Sequence, residues 1–143
     1  SLATLATTFG RQHAEYIQKS MRSIGIRIKI QTYNWPQLLE VIRLKKAHLW
    51  ELAWGADYPD AENFFQLYYS PHRSPGPNDA HYHNPMFDQL YEQSHGASSK
   101  TKLSLYRQMM EILAEDCPAI FLAHRDSLFL VHPWLKNFSP VLL

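Results

Sequence analysis

The 143-residue sequence lacks the features that mark several large classes of protein. It has one cysteine, Cys117, so no disulfide can form within the chain and the thiol count indicates no compartment. No apolar run approaches the ~20 residues that a membrane helix needs. Fourteen Lys and Arg against 13 Asp and Glu give a net charge of +1, with the two signs interspersed. This balance predicts no nucleic-acid partner and no anionic membrane surface as a partner.

Catalytic motifs are also missing. The sequence has no glycine-rich phosphate loop and no nucleophile elbow. Cys117 and His124 could pair in space, but a catalytic dyad needs an orienting third group and oxyanion donors, for which we find no candidates. We therefore expect Cys117 to be a small buried hydrophobic residue at a helix end. The sequence predicts a protein that is not an enzyme and that has no cofactor.

Hydrophobic spacing predicts alternating helices and strands in the first half of the chain. Apolar residues recur at helical spacing over 11–24, and Gly25 supplies the left-handed residue that ends this helix. Alternating isoleucines predict a strand over 26–30. A helix is predicted from Asn34-Trp35-Pro36 to about residue 46, followed by a buried central strand over 49–54. The order strand, helix, strand implies a right-handed crossover and a parallel pair.

The second half is predicted to be richer in helix. Helices are expected over 62–69, 84–95 and 99–116, the last with a buried face of Leu103, Tyr106, Met110 and Leu113, and an irregular loop over 70–82. Two short strands, 119–123 and 128–131, are expected to follow, joined by 124–127. Since there is no internal repeat and no long linker, we expect one domain over residues 1–143, able to bury about two-thirds of its unfolded surface. The predicted class is α/β, a mixed sheet flanked by helices.

The most informative segment is 54–65, Trp-Gly-Ala-Asp-Tyr-Pro-Asp-Ala-Glu-Asn-Phe-Phe. Asp57 comes directly after an apolar strand, and Pro59 prevents the strand from continuing. Ligand contacts in α/β proteins cluster at this end of a strand. A carboxylate here, followed by a helix that opens with further carboxylates, is suited to holding a small cationic group.

Four segments together resemble the family of periplasmic solute-binding proteins that serve peptide and nickel ABC importers, extracellular solute-binding protein family 5. They are 24–36, 54–65, His81-Tyr82-His83-Asn84-Pro85-Met86-Phe87-Asp88-Gln89-Leu90, and 116–120. None is specific alone, but their order and spacing extend the resemblance over about residues 12–140. The resemblance implies a C-terminal lobe segment of a periplasmic binding protein II-like fold. Family members are several times longer and two-lobed, so residues 1–143 are expected to be a fragment of the ligand-binding lobe.

The resemblance also implies a function and a site. The protein would be the periplasmic substrate-binding component of an ABC importer, with an export signal outside this sequence. Its partners would be a peptide or similar small solute, the permease subunits and the remaining part of the receptor. Asp57 would pair with the α-amino group of a peptide, and Trp54 would form a pocket wall. Gly55 and Ala56 would leave the backbone open to an extended ligand, and Tyr58 could donate a hydrogen bond.

Each of these assignments has an alternative. Asp57 could simply cap the turn before Pro59, and Trp54 could simply pack in the core. A different function is a small nickel- or zinc-binding domain, since His81 and His83 have the spacing that aims two imidazoles to one side of an extended segment. Only Asp79 and His72 lie near enough in sequence to complete such a set, so a solvated loop is favoured and no metal ligands are assigned.

Overall fold

The computed structural model describes residues 1–124 and 128–139 of the chain. In chain order the elements are β1 (Leu2–Leu5), α1 (Thr8–Ser23), β2 (Ile30–Tyr33), α2 (Trp35–Arg43), β3 (Leu49–Trp50), α3 (Glu62–Phe65), a 3₁₀ turn (Ser70–His72), α4 (Pro85–Ser94) and α5 (Ser99–Asp116). A parallel sheet is flanked by helices, which confirms the α/β class. In the described residues no helix is long and apolar enough to cross a membrane.

The sheet has the strand order β2-β1-β3, and both of its pairs are parallel. Its central strand is β1, which the sequence analysis missed, and Ala3 at its centre is fully buried. The strand expected over 49–54 is instead a two-residue edge strand, and the strand expected over 26–30 lies at Ile30–Tyr33. The predicted parallel pair of β2 with β3 is wrong, because each of these strands pairs with β1, which lies between them.

Local capping groups set the ends of the first two helices, and the sequence analysis predicted Gly25 and Asn34 among them. It placed the start of α1 near residue 11, whereas the helix begins at Thr8. Thr7 caps α1 by accepting from the backbone N–H of Gly10 at 3.0 Å, and Gly25 takes the left-handed φ of 85° just after the helix. Asn34 and Gln37 form a capping box at the start of α2. A side chain at Gly10 would place its Cβ 2.6 Å from the carbonyl oxygen of Leu5, so glycine lets α1 start close against β1.

Two hydrophobic cores hold these elements. The sheet core consists of Ala3 of β1 with Leu38 and Ile42 of α2. The larger helical core joins α3, α4 and α5 and consists of Phe65, Phe87, Leu90, Tyr91, Leu105, Tyr106, Met109 and Leu113. The chain between β3 and α3 crosses from the first core to the second. We call residues 51–61, which make this crossing, the site loop.

The buried face of α5 was predicted only in part. Tyr106 and Leu113 are buried as expected, but Leu103 is 54% exposed and Met110 is 62% exposed. The helix is rotated so that Leu105 and Met109 face the core instead. Apolar residues lie on both sides of this helix, so their spacing alone cannot show which side meets α4.

The C-terminal residues differ most from expectation. The predicted strands 119–123 and 128–131 are not formed, and Phe121, Leu128 and Leu130 are exposed. Most of the predicted connection, 125–127, lies outside the described residues. Cys117 is exposed in a left-handed conformation at the end of α5, not buried as predicted. An apolar segment becomes a strand only where a neighbouring strand offers its backbone, and no strand of the described sheet pairs with this one.

Candidate ligand-binding site

The site loop carries all five residues that the sequence analysis assigned to the ligand. It follows β3 at the carboxyl end of the parallel sheet and has no regular secondary structure until α3. Trp54 is 43% exposed and Tyr58 is 40% exposed, while Gly55 and Asp57 are exposed and Ala56 is half-buried. The loop therefore presents these side chains at a surface rather than in a core, which does not fit the alternative of Trp54 as a simple core residue.

A residue that the sequence analysis missed brings two of them together. Asn63, in α3, is fully buried. The Nε1–H of Trp54 donates to Oδ1 of Asn63 at 2.7 Å, and the Nδ2–H of Asn63 donates to Oδ2 of Asp57 at 3.4 Å. The signal available in the sequence was the position of this amide, in the first turn of a helix and next to two phenylalanines. A buried amide needs hydrogen-bond partners, so a buried Asn63 implies polar neighbours.

The hydrogen bonding of Asp57 is not that of a turn cap. In the described part of the chain its carboxylate is paired with the Asn63 side chain, and Asp60 does the local capping. Oδ1 of Asp60 accepts from the backbone N–H of Glu62 at 3.0 Å, which satisfies a free amide at the start of α3. The arrangement leaves Asp57 exposed at the surface, where a cation can approach it.

Tyr58 is directed to α3. Its hydroxyl donates to one carboxylate oxygen of Glu62, and the hydroxyl of Tyr91 donates to the other. The pKa of Tyr58 is raised mainly by its hydrogen bond to Glu62. The pKa of Tyr91 is raised mainly by burial, and its hydrogen bond to Glu62 is the second cause. Glu62 thus ties the site loop to the helical core, and Tyr58 serves in that tie.

Asp60 makes a second tie between the loop and the helical core. Its carboxylate lies 2.5 Å from Nζ of Lys102 and accepts from the hydroxyl of Tyr106 at 2.6 Å. These two hydrogen bonds, the one from Lys102 first, lower the pKa of Asp60 to about 2 from the usual 3.8. The ionised carboxylate is therefore the form that the fold stabilises.

The depressed pKa of Asp60 predicts a specific loss of stability in acid. The Asp60 carboxylate is protonated at higher pH in the unfolded chain than in the folded one. Its contribution to the free energy of unfolding is therefore complete above the unfolded pKa and is lost as pH falls from about 4 to about 2. Between about pH 4 and pH 2 the free energy of unfolding should fall in both proteins. The fall in Asp60→Asn should be smaller than that in the wild type by about 1–2 kcal/mol, after allowance for solvent screening.

Urea unfolding at both pH values measures this difference. Lys102→Met is the companion variant, since it removes the first cause of the shift and should flatten the acid response in the same direction. Parallel losses of stability in the wild type and Asp60→Asn would show that the pairing with Lys102 and Tyr106 does not contribute.

An apolar cleft of about 380 Å³ lies beside the site loop, with Trp54 in its wall. It is lined by Trp35, Leu39 and Arg43 of α2, by Leu52, Ala53 and Trp54 after β3, and by Pro75, Gly76, Pro77 and Asp79. Two indoles and two leucines make its walls apolar. Burial raises the pKa of Asp79, and the positive charge of Arg43 opposes this shift. Arg43 therefore supplies a positive charge to the lining of an otherwise apolar cleft.

The far wall of the cleft is held by a second buried asparagine. Asn78 is fully buried, and its Nδ2 group donates to the carbonyl oxygens of Tyr69 and Tyr82 at 3.1 and 3.0 Å. Its Oδ1 accepts from the backbone N–H of Tyr82 at 3.1 Å. These bonds replace a regular ladder and give the irregular 75–79 segment a defined position.

The loop histidines do not form a metal centre in the described residues. Over 1–124 and 128–139, no group of three His, Cys, Asp or Glu side chains could hold a metal ion. Nδ1 of His83 lies 2.8 Å from Oγ of Ser70 and 3.7 Å from Oδ2 of Asp88. Serine and aspartate meet the same ring nitrogen, whereas a catalytic triad needs them on opposite nitrogens. This cluster is therefore not arranged as a proton relay.

The described surface offers an apolar cleft, an exposed carboxylate and an indole held by one buried amide, a combination that suits ligand binding. The fold and this site define an α/β solute-binding protein as the class. The model of the bacterial extracellular solute-binding proteins, family 5 middle, matches residues 2–76, and the chain belongs to this family. The family suggested by the four sequence segments is therefore confirmed.

Individual relatives agree with this assignment. The chain is 28% identical over 116 residues to a dipeptide-binding protein of Escherichia coli (strain K12), an alignment that covers 80% of the chain and 22% of the relative. A periplasmic binding protein from Helicobacter pylori, solved with the peptide STSA, superposes with a TM-score of 0.75 at 27% identity over 82% of the chain and 23% of that protein. A dipeptide-binding protein from Pseudoalteromonas sp. SM9913, solved with Met-Leu, superposes with a TM-score of 0.74 at 26% identity. That match covers 82% of the chain and 24% of that protein. The chain spans about a fifth to a quarter of the length of these three relatives.

Proposed function

We propose that this chain is part of the ligand-binding lobe of a periplasmic receptor that captures a peptide and delivers it to an ABC importer. The observation that carries the proposal is the pairing of Asp57, through Asn63, with Trp54, which lines the apolar cleft. The names of the relatives support a peptide as the ligand, since two of the three are dipeptide-binding proteins and two were solved with peptides.

Asp57 is the proposed partner of the peptide's α-amino group. Its carboxylate is exposed, and the hydrogen bond from Asn63 occupies one of its two oxygens. The other oxygen can accept from an ammonium group. When a second lobe excludes water, this charge-assisted pair becomes much stronger than it is at an open surface.

Trp54 and the cleft are the proposed site for an adjoining side chain of the ligand. The walls contributed by Trp35, Leu39 and Leu52 suit an apolar or aromatic side chain. Gly55 supports the approach of an extended ligand backbone, because a Cβ placed there would meet no atom within 4 Å. Ala56 next to it is small, so the two residues leave the backbone open to strand-like hydrogen bonding. Tyr58 is assigned to holding the loop through Glu62.

The remaining part of the receptor completes the proposed site. The chain corresponds to about a fifth of its relatives, and one lobe surface excludes little water by itself. We propose that closure of a second lobe encloses the ligand and provides the positive group for its carboxylate, and that the closed form docks on the permease. The isolated chain should accordingly bind peptides weakly or not at all.

Calorimetry on the receptor that contains this chain tests the proposal. Met-Leu and N-acetyl-Met-Leu are matched probes, since they differ only in the charge and hydrogen-bonding capacity of the amino end. Acetylation is expected to weaken binding at least about 30-fold, because it removes one partner of a desolvated charge pair. Equal binding of both probes, or no binding of either, would contradict a peptide site anchored by Asp57 and would redirect the search to haem or metal complexes.

A further inference from the structure

A buried amide joins the two functional side chains of the site loop. We propose that Asn63 is a positioning residue: it holds the Asp57 carboxylate and the Trp54 indole in one fixed geometry, so that the amino anchor and the pocket wall are set before the ligand arrives. This inference rests on the proposed function, since it deepens the account of the same site. Asn63 itself is fully buried and acts through its two neighbours.

The chemistry of the neighbours determines how this amide is oriented. An indole N–H can only donate, so the amide atom 2.7 Å from Nε1 of Trp54 must be the oxygen. The NH₂ group then faces Oδ2 of Asp57 at 3.4 Å, and a carboxylate can only accept. Both neighbours require the same orientation. A flipped amide would set a donor against a donor and an acceptor against an acceptor.

The position of Asn63 is set by α3, which packs in the helical core through Phe65. Its backbone N–H donates to the carbonyl of Asp60 at 3.1 Å, and its own carbonyl accepts from Nε2 of Gln66 at 3.1 Å. Two residues further on, Phe65 is buried, with its ring 5.0 Å from that of Tyr106. The amide is therefore fixed by α3 and the residues around it.

The two side chains that it holds belong to a different part of the fold. Trp54 and Asp57 follow β3, which pairs within the sheet and not with the helical core. The site loop has no backbone ladder to fix its course at this point. Hydrogen bonds from a rigid neighbouring element are how a loop-borne site acquires a defined geometry. Asn63, held by the helical core through α3, thus fixes the side chains of Trp54 and Asp57, which belong to the loop that leaves the sheet.

Two measurements test the proposal. The Trp54 indole N–H resonance of the 143-residue chain, assigned by its loss in Trp54→Phe, reports the contact with Asn63 without any ligand. In Asn63→Ala this resonance should move upfield and exchange faster with water. In the receptor that contains this chain, Asn63→Ala should weaken Met-Leu binding about tenfold or more and should reduce the preference for Met-Leu over N-acetyl-Met-Leu.

Two further variants separate positioning from general stability. Met109→Ala, in the helical core and away from the site loop, lowers stability without removing a contact to Trp54 or Asp57. It should leave both the indole resonance and the preference for Met-Leu at wild-type values. Asn63→Asp keeps an acceptor for the indole but faces Asp57 with a second carboxylate. It should restore the indole resonance while binding of Met-Leu stays weakened.

The outcomes distinguish this proposal from the proposed function. An unchanged preference for Met-Leu in Asn63→Ala, or an equal loss in Met109→Ala, would overturn the positioning role while a peptide site remained. An unchanged indole resonance in Asn63→Ala would overturn it as well. A wild-type receptor that does not discriminate between Met-Leu and its acetylated form would instead overturn the amino anchor itself, and this result precedes any variant.

Discussion

Replacement of Asp57 by alanine is expected to weaken binding of Met-Leu by the receptor at least about 30-fold, because it leaves a desolvated ammonium group without its partner. N-acetyl-Met-Leu, which has no ammonium group, should bind the variant and the wild type equally. The measurement is calorimetry with both probes at one pH and ionic strength. Asp57→Asn, which keeps the shape and removes the charge, should follow Asp57→Ala in this loss.

Stability should change little in the same variant. Asp57 is exposed, and its hydrogen bond from Asn63 is long, at 3.4 Å. Its removal should therefore alter the free energy of unfolding by about 1 kcal/mol or less. Glu111→Ala is a matched control that removes one exposed acid from α5 without touching the site loop, and it should leave Met-Leu binding unchanged. A large fall in melting temperature with unaltered Met-Leu binding would instead assign Asp57 to the architecture of the turn.

Replacement of Phe87 by alanine is expected to have the largest effect on stability, a loss of about 3–5 kcal/mol in the free energy of unfolding. Phe87 is fully buried in the helical core, with ring centroids 5.8 Å from Tyr82, 6.2 Å from Phe65 and 6.4 Å from Tyr68. Alanine at this position would leave a cavity among these rings. Because Phe65 is the core anchor of α3, the cavity should also loosen the helix that carries Asn63.

Met86 provides the control for this prediction. It is adjacent in α4 and also apolar, but it is 57% exposed. Met86→Ala should therefore change the free energy of unfolding by no more than about 0.5 kcal/mol. Urea or thermal unfolding of the chain measures both variants. Similar stabilities for Phe87→Ala and Met86→Ala would show that the helical core is not the main source of stability.

These predictions depend on a division of the fold that the linear sequence does not reveal. The ties through Glu62, Asp60 and Asn63 all run from the site loop to the helical core. The site loop itself begins in the sheet. The candidate site is therefore built at the junction of two cores, and its geometry depends on both.

The sequence by itself determined the features that depend on near neighbours along the chain. The start of α2 at Asn34, the left-handed Gly25, the start of α4 near residue 84 and both ends of α5 are where the sequence predicted them. Such signals are short-range, because a cap or a turn is satisfied by groups a few residues away. The ordered segments likewise identified the family, which the family model confirms.

Only the tertiary structure decided the features that depend on distant partners. It placed β1 at the centre of the sheet, turned Leu105 and Met109 of α5 inward, and left 119–123 without a strand partner. It also brought Asn63 between Trp54 and Asp57. The physical reason is the same in each case. Strand pairing, the choice of buried helix face and the satisfaction of a buried amide are settled by groups remote in sequence, and periodicity carries no record of them.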